Sequence, residues 1–347
     1  MHPDLDQEEA PILIVPYVWI GDFVRVHSVV KVLRAQNPRR AVDLVSSTLC
    51  APLADYMPGV RAAIVEDLPR GRLGLAEQRA LADKLRARRY RQALVMSRKW
   101  KAALAPFLAG IPRRTGFIGE MRLLLINDLR YGERELPRMI DRMGALALPL
   151  GAVPPQEWPL PELKVPADNV ANWRTARGLN DEARPIVTLS PGAVGEGKAW
   201  PPEHYAALAR ALRKDGASVW VLGGPNETAI ATRIGSESGA RDLTGSDLRN
   251  AVLALAAADL AVTNDSGLMH VAAAIGTPTV AIFGPTSPWH WKPLNPVAAI
   301  LEPPGDEAAR ALARSEGNSA VAHRRTADVS VDMVLRTVRD LLRKKKR

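Results

Sequence analysis

The run Asn264-Asp265-Ser266-Gly267, with His270 three positions on, joins a β-branched strand end, Val262-Thr263, to an Ala-rich helical stretch closed by Gly276. The first N–H groups of a helix have no intrahelical acceptor and carry partial positive charge, so such a turn is suited to receive an anion, above all a phosphate. The same Asp-Ser pair would also serve as an ordinary helix cap. Three further loops carry similar chemistry: Ser190-Pro-Gly192 continuing through Gly195 and Gly197 to Lys198, Gly223-Gly224 leading to Glu227, and Leu243-Thr244-Gly245. Glycine lets backbone amides approach a ligand, Lys198 can neutralise phosphate, and Glu227 can accept hydrogen bonds from a ribose diol. Far upstream, Asp22 follows the short apolar run Ile12–Val15 and the loop Tyr17-Val-Trp-Ile-Gly21. It is a carboxylate that could take a proton or cap a helix.

These loops need strands behind them. Apolar runs at 11–16, 42–46, 92–97 and one ending at Val65 alternate with helical stretches such as Phe23 to Ala35 and Ala76 to Arg89. Strands alternating with helices predict a parallel sheet covered on both faces, a Rossmann-like domain. Prolines at 149, 154, 155, 159, 161 and 166 mark an interdomain linker. Beyond it the alternation restarts, with strands at 186–190, 218–223, 260–263 and 279–283 and helices near 203–214, 226–238, 247–258 and 268–275. Two α/β domains are therefore expected, 1–160 and 161–330, with a last amphipathic helix, Val331 to Arg343, able to pack on either. In open parallel sheets ligands bind beyond the carboxyl ends of the strands, where all these loops lie. Four convergent loops describe a nucleotide pocket. Neither a P-loop nor a strand-linked Gly-x-Gly-x-x-Gly is present, which argues against a P-loop NTPase and a typical dinucleotide dehydrogenase.

Charge is unevenly distributed. Residues 1–150 carry a net +8, residues 151–342 a net −3, and Arg343-Lys-Lys-Lys-Arg347 the remaining +5. A basic first domain and tail predict a large acidic partner, and with no RNA-binding signature an anionic membrane surface is preferred to nucleic acid. Solubilising surface charge is the plain alternative for the tail. One cysteine, Cys50, excludes an internal disulfide or a Cys-based zinc cluster. The start of the chain lacks the basic and apolar regions of a secretory signal, and no stretch has the roughly 18 apolar residues of a membrane span. A cytoplasmic protein is expected, with no His/Asp/Glu set at convincing metal spacing.

The segments Trp19-Ile-Gly-Asp22, Asn127-Asp-Leu-Arg130 leading to Leu136–Arg142, Ser190-Pro-Gly192 with Lys198-Ala-Trp-Pro-Pro-Glu-His-Tyr205, and Thr263–His270 through Phe283-Gly-Pro285 resemble the lipopolysaccharide heptosyltransferases, type II most closely, of glycosyltransferase family 9. The resemblance runs over about 11–295 in the family's order. It implies a GT-B fold, two Rossmann-like doubly wound domains facing a cleft, with a last helix (331–347) returning to the first domain. It implies inverting, metal-independent transfer of L-glycero-D-manno-heptose from ADP-heptose to the inner core of lipopolysaccharide. With the basic charge, a monomer peripheral on the cytoplasmic face of the inner membrane is expected. Asp22 matches the family's catalytic base and Asp265 a position contacting donor-sugar hydroxyls. Ser190, Gly192, Lys198, Gly224, Glu227, Thr244, Ser266, Gly267 and His270 complete the expected donor site, and Lys99, Lys101, Arg113 and Arg122 are candidates for the acidic acceptor.

Two features depart from the pattern. Ala199 stands after Lys198 where a bulkier or basic residue is common, and 305–325 lacks the cysteines often found there. A transferase with another donor or acceptor, a nucleotide-sugar epimerase of GT-B-like fold and a non-catalytic binding protein remain as alternatives. The Trp289-His290-Trp291 cluster could cover a nucleotide or pack between domains.

Overall fold

The computed structural model describes residues 10–245, 247–305 and 307–345; the acidic start of the chain and Lys346 and Arg347 of the basic tail lie outside the described residues. The chain forms two compact units, Met1–Pro161 and Glu162–Arg347. The first contains β1 (Ile12–Val15), α1 (Ile20–Arg25), α2 (His27–Gln36), β2 (Val42–Ser46), α3 (Ala51–Ala54), β3 (Val60–Val65), α4 (Leu75–Arg86), β4 (Gln92–Val95), α5 (Trp100–Leu108), β5 (Arg113–Phe117), β6 (Asp128–Arg130) and α6 (Met139–Ala145). Its strands are all parallel in the order β3-β2-β1-β4-β5-β6. Leu13, Val15, Ala93 and Val95 of the two central strands pack against Leu81, Leu85 and Ala103 of α4 and α5.

The second unit contains α7 (Ala167–Ala176), β7 (Ile186–Ser190), α8 (Pro202–Lys214), β8 (Ser218–Val221), α9 (Thr228–Ser238), β9 (Arg241–Asp242), α10 (Leu248–Ala257), β10 (Leu260–Asn264), α11 (Gly267–Ile275), β11 (Thr279–Ile282), α12 (Pro288–Trp291), β12 (Ala298–Leu301), α13 (Glu307–Glu316) and α14 (Val331–Lys345). Its order is β12-β11-β10-β7-β8-β9, again parallel. β7, β8, β10 and β11 are buried along their whole length, as expected of strands covered on both faces.

Two expectations change, for α1 and for the last helix, and the proline-rich segment gains an anchor. The single helix from Phe23 is two helices meeting at Val26, and Asp22 belongs to the first turn of α1 rather than to the loop before it. The proline-rich segment has no regular element, yet it is not loose. Trp158 is buried and donates from Nε1 to Asp141 Oδ1 at 2.9 Å, which fixes the segment to α6 of the first unit. The last helix does not return to the first unit. Val334 and Val338 of α14 are buried with Tyr205, Leu208 and Leu212 of α8, and Arg339 pairs with Asp215 at 2.8 Å, so its apolar face is taken up by the second unit.

Candidate active site

In each sheet the strand order reverses beside the first strand, between β1 and β4 in the first unit and between β7 and β10 in the second. A crevice opens at such a switch point because the helices leaving the two neighbouring strands lie on opposite faces. The sequence places its distinctive loops there: Asp22 after β1, Lys99 and Lys101 after β4, Ser190–Lys198 after β7, and Asp265–Gly267 after β10.

In the second unit Asn264, fully buried, organises the crevice. Its Oδ1 accepts from Trp200 N at 3.1 Å and Tyr205 Oη at 3.0 Å, while Nδ2 donates to Pro191 O at 2.7 Å. Burial pushes the Tyr205 phenol far up, so it stays a donor. The loop 191–200 is tied down at its other side by Thr326, whose Oγ1 donates to Ala199 O at 2.8 Å and Gly197 O at 3.1 Å and whose N–H also meets Gly197 O. Gly284 lets these backbones meet: a Cβ there would lie 2.6 Å from Thr326 N and 2.9 Å from Gly197 O.

The product of this scaffold is a pair of charges beside a helix start. Lys198 Nζ lies 2.7 Å from Asp265 Oδ2, which also accepts from Thr286 Oγ1 at 2.8 Å. Ser266 is the N-cap residue of α11 and its side chain makes no capping bond, while the Asp265 carboxylate is turned to Lys198 and Thr286, so among the described residues the cap reading of the pair fails and the helix start can receive an anion. Ser190 and Thr263, in register on β7 and β10, are buried with hydroxyls that bond no other protein atom. His270 is buried one turn into α11.

Two other expected donor residues serve their own turns. Glu227 Oε2 accepts from Gly224 N at 2.7 Å, and Thr244 Oγ1 donates to Asp242 Oδ1 at 2.7 Å. Glu227 nevertheless lies against Gly192, where a Cβ would come within 2.9 Å of its carboxyl carbon, so the β7 and β8 loops are adjacent. Trp289 stacks under Arg314 at 4.9 Å and His290 Nε2 meets Ala313 O at 3.0 Å, which places these two on α13, whereas Trp291 packs with Met269 of α11 and Phe283.

In the first unit Asp22 is 8% exposed and 3.8 Å from Arg25 Nη1. Close by, burial first, then the charges of Glu133 and Asp22, push the Tyr17 phenol up to about 12 against the opposing pull of Arg142 and Arg122. Tyr17, Arg25, Glu133 and Arg142 carried no separate signal in the sequence, although the family-like stretch 136–142 contains the last. The four acceptor candidates divide. Lys99 and Lys101 begin α5 on the same edge as Asp22, with Lys99 Nζ 2.7 Å from Glu120. Arg113 starts β5 at the opposite edge and pairs with Asp128 at 2.8 Å, so it is removed from Asp22. Arg122 is a buried clamp, donating to the carbonyls of Ser97 and Phe117, and offers no free charge to an acceptor.

Residues 78–316 match the glycosyltransferase family 9 (heptosyltransferase) model. The chain is 38% identical over 304 residues to lipopolysaccharide heptosyltransferase 2 of Escherichia coli K12, covering 84% of this chain and 87% of that one. It is 35% identical to lipooligosaccharide heptosyltransferase 2 of Haemophilus ducreyi, covering 95% and 99%. The solved structure of the ADP-heptose lps heptosyltransferase II of E. coli superposes with a TM-score of 0.85 at 33% identity, covering 97% of this chain and all of that one. With two parallel six-stranded sheets of GT-B type, matched to these enzymes over nearly its whole length, the chain belongs to glycosyltransferase family 9, the heptosyltransferases.

Proposed function

We propose that this transferase moves L-glycero-D-manno-heptose from ADP-heptose to an inner-core sugar of lipopolysaccharide, with inversion and without a metal. The observation that carries the donor half is the uncapped start of α11 beside Lys198, at the switch point of the second sheet. In the reaction the acceptor hydroxyl oxygen forms a bond to the anomeric carbon as the bond from that carbon to the diphosphate oxygen breaks. The hydroxyl proton passes to the Asp22 carboxylate, and the electron pair leaves with ADP. The charge developing on the diphosphate is met by the Lys198 ammonium and the amides of Gly267 and the residues after it, the role a divalent cation fills elsewhere. Asp265 holds Lys198 in place and, as the diphosphate takes over that ammonium, turns toward sugar hydroxyls. Lys99 and Lys101 meet the acidic acceptor on the Asp22 edge. The acceptor is bilayer-anchored, so the protein works at the cytoplasmic face of the inner membrane; a monomer is sufficient for the reaction as written.

Purified protein incubated with ADP-heptose and heptose-deficient lipopolysaccharide tests this. Heptose incorporation with stoichiometric ADP release is expected. A changed donor sugar without acceptor would indicate an epimerase instead, and binding without turnover would refute catalysis.

A further inference from the structure

The first unit carries an apolar projection that neither its core nor the candidate catalytic residues use. Between β5 and β6 the chain turns through Ile118–Leu124, where Met121, Leu123 and Leu124 are 99%, 58% and 84% exposed. Three large aliphatic side chains grouped at one turn are unfavourable in water unless something covers them.

The turn is held firmly in that arrangement. Glu120 and Met121, neither a glycine, have φ of +37° and +48°, a backbone region that side chains disfavour. Arg122 anchors it from below with its buried guanidinium on the carbonyls of Phe117 and Ser97. Glu120 anchors it from the side, its carboxylate accepting from Lys99 Nζ at 2.7 Å and Trp100 N at 3.0 Å. Strain kept in place by two independent anchors marks a shape with a purpose.

Around the base lie Trp100 and Tyr131, 40% and 66% exposed, the latter beside Ile118, whose N–H bonds Arg130 O at 2.9 Å. Arg98, packed against Gly119, and Lys99, paired with Glu120, complete the collar. An aliphatic tip, an aromatic collar and cations form the series that a bilayer presents in reverse: acyl chains, an interface favouring Trp and Tyr, and anionic headgroups. Glu133 and Glu120 pair with Arg98 and Lys99, which leaves the larger share of attraction to the apolar tip and the aromatic side chains. The turn leaves the carboxyl end of β5, the edge from which Asp22 leaves β1.

We propose that Met121, Leu123 and Leu124 form a wedge that enters the acyl region of an anionic bilayer, with Trp100 and Tyr131 at the interface and the basic collar among the headgroups. The inference rests on the reading that this protein works at a membrane surface, and it names the element that does so.

Flotation of the full chain with phosphatidylcholine vesicles, with and without phosphatidylglycerol, tests it. The comparison includes a variant combining Met121→Ser, Leu123→Ser and Leu124→Ser and a variant lacking residues 343–347. The serine variant should partition about 10- to 100-fold more weakly, with unchanged turnover on an acyl-free acceptor, and wild-type binding should largely survive high salt. Tryptophan introduced by Met121→Trp should be quenched by bromine placed on the acyl chains. Equal binding by wild type and serine variant would overturn the wedge and leave membrane attachment to the tail. Failure of the wild type to bind any vesicle would overturn both the wedge and the membrane reading. Lipid-free self-association abolished by the serine changes would assign the patch to a second copy of the chain and also overturn the wedge.

Discussion

Lys198 and Asp265 form an ion pair of 2.7 Å between the β7 loop and the turn before α11, two segments that meet only at the switch point of the second sheet. In the proposed reaction the diphosphate takes the place of Asp265 as the partner of this ammonium. Lys198→Ala should therefore weaken donor use, raising the donor KM and lowering kcat, with about 10- to 1,000-fold lost in kcat/KM. Lys198→Arg should recover part of it. Initial rates at varied ADP-heptose check this, and a Lys198→Ala enzyme with wild-type kinetics would remove the lysine from the diphosphate site.

Asp22→Asn should leave folding and ADP binding intact and lower transfer by about two to four orders of magnitude, the range expected for loss of a general base. Single-turnover rates with matched ADP affinity by calorimetry are the measurement. Turnover near that of the wild type would show that another group takes the proton.

Thr326 and Gly284 carry no charge and touch no expected ligand, yet the β7 loop depends on them. Thr326→Val removes hydroxyl bonds to two loop carbonyls and should cost about 1–2 kcal/mol of stability together with a higher donor KM. Gly284→Ala forces a Cβ onto backbone that cannot swing away, and should cost about 1–3 kcal/mol by overpacking. Thermal unfolding beside donor kinetics tests both; donor kinetics unchanged in both variants would separate the lock from the site.

Asp141 gives the first unit an acid-sensitive point. Burial alone would raise its carboxyl, but hydrogen bonds from Arg138, from Trp158 and from the Arg138 backbone outweigh burial and hold it below the usual carboxylate range. A folded-state value below the unfolded one means stability fully present above the unfolded value near 4 and lost as pH falls through the folded value. Asp141→Asn should lower stability at pH 7 by about 1–3 kcal/mol and flatten its decline in acid. Unfolding midpoints between pH 7 and 3 would show parallel curves if Asp141 does not contribute.

The sheets were legible because strands buried on both faces are written as short continuous apolar runs, as in Ile186-Val-Thr-Leu and Thr279-Val-Ala-Ile. The position of the loops after β7 and β10 was legible because their glycines and Lys198 stand at the ends of those runs. The break between α1 and α2 was not, since Val26 bears no proline or glycine to signal it. An arginine between apolar neighbours reads as surface charge, so the buried role of Arg122 needed the fold. Asn264 stood in the recognised motif, but its three partners lie 59 to 73 residues away and are brought near only by the sheet.

The tie between Thr326 and Gly197 spans 129 residues, as does the bond from Trp200 Nε1 to Val329 O. During synthesis the second sheet can assemble once β12 has emerged, whereas the loop after β7 must wait for chain made later still. The Lys198 loop is therefore among the last parts of its unit to mature, and a polypeptide interrupted shortly before position 326 would lack both this lock and the apolar face of α14 that completes the core of the unit.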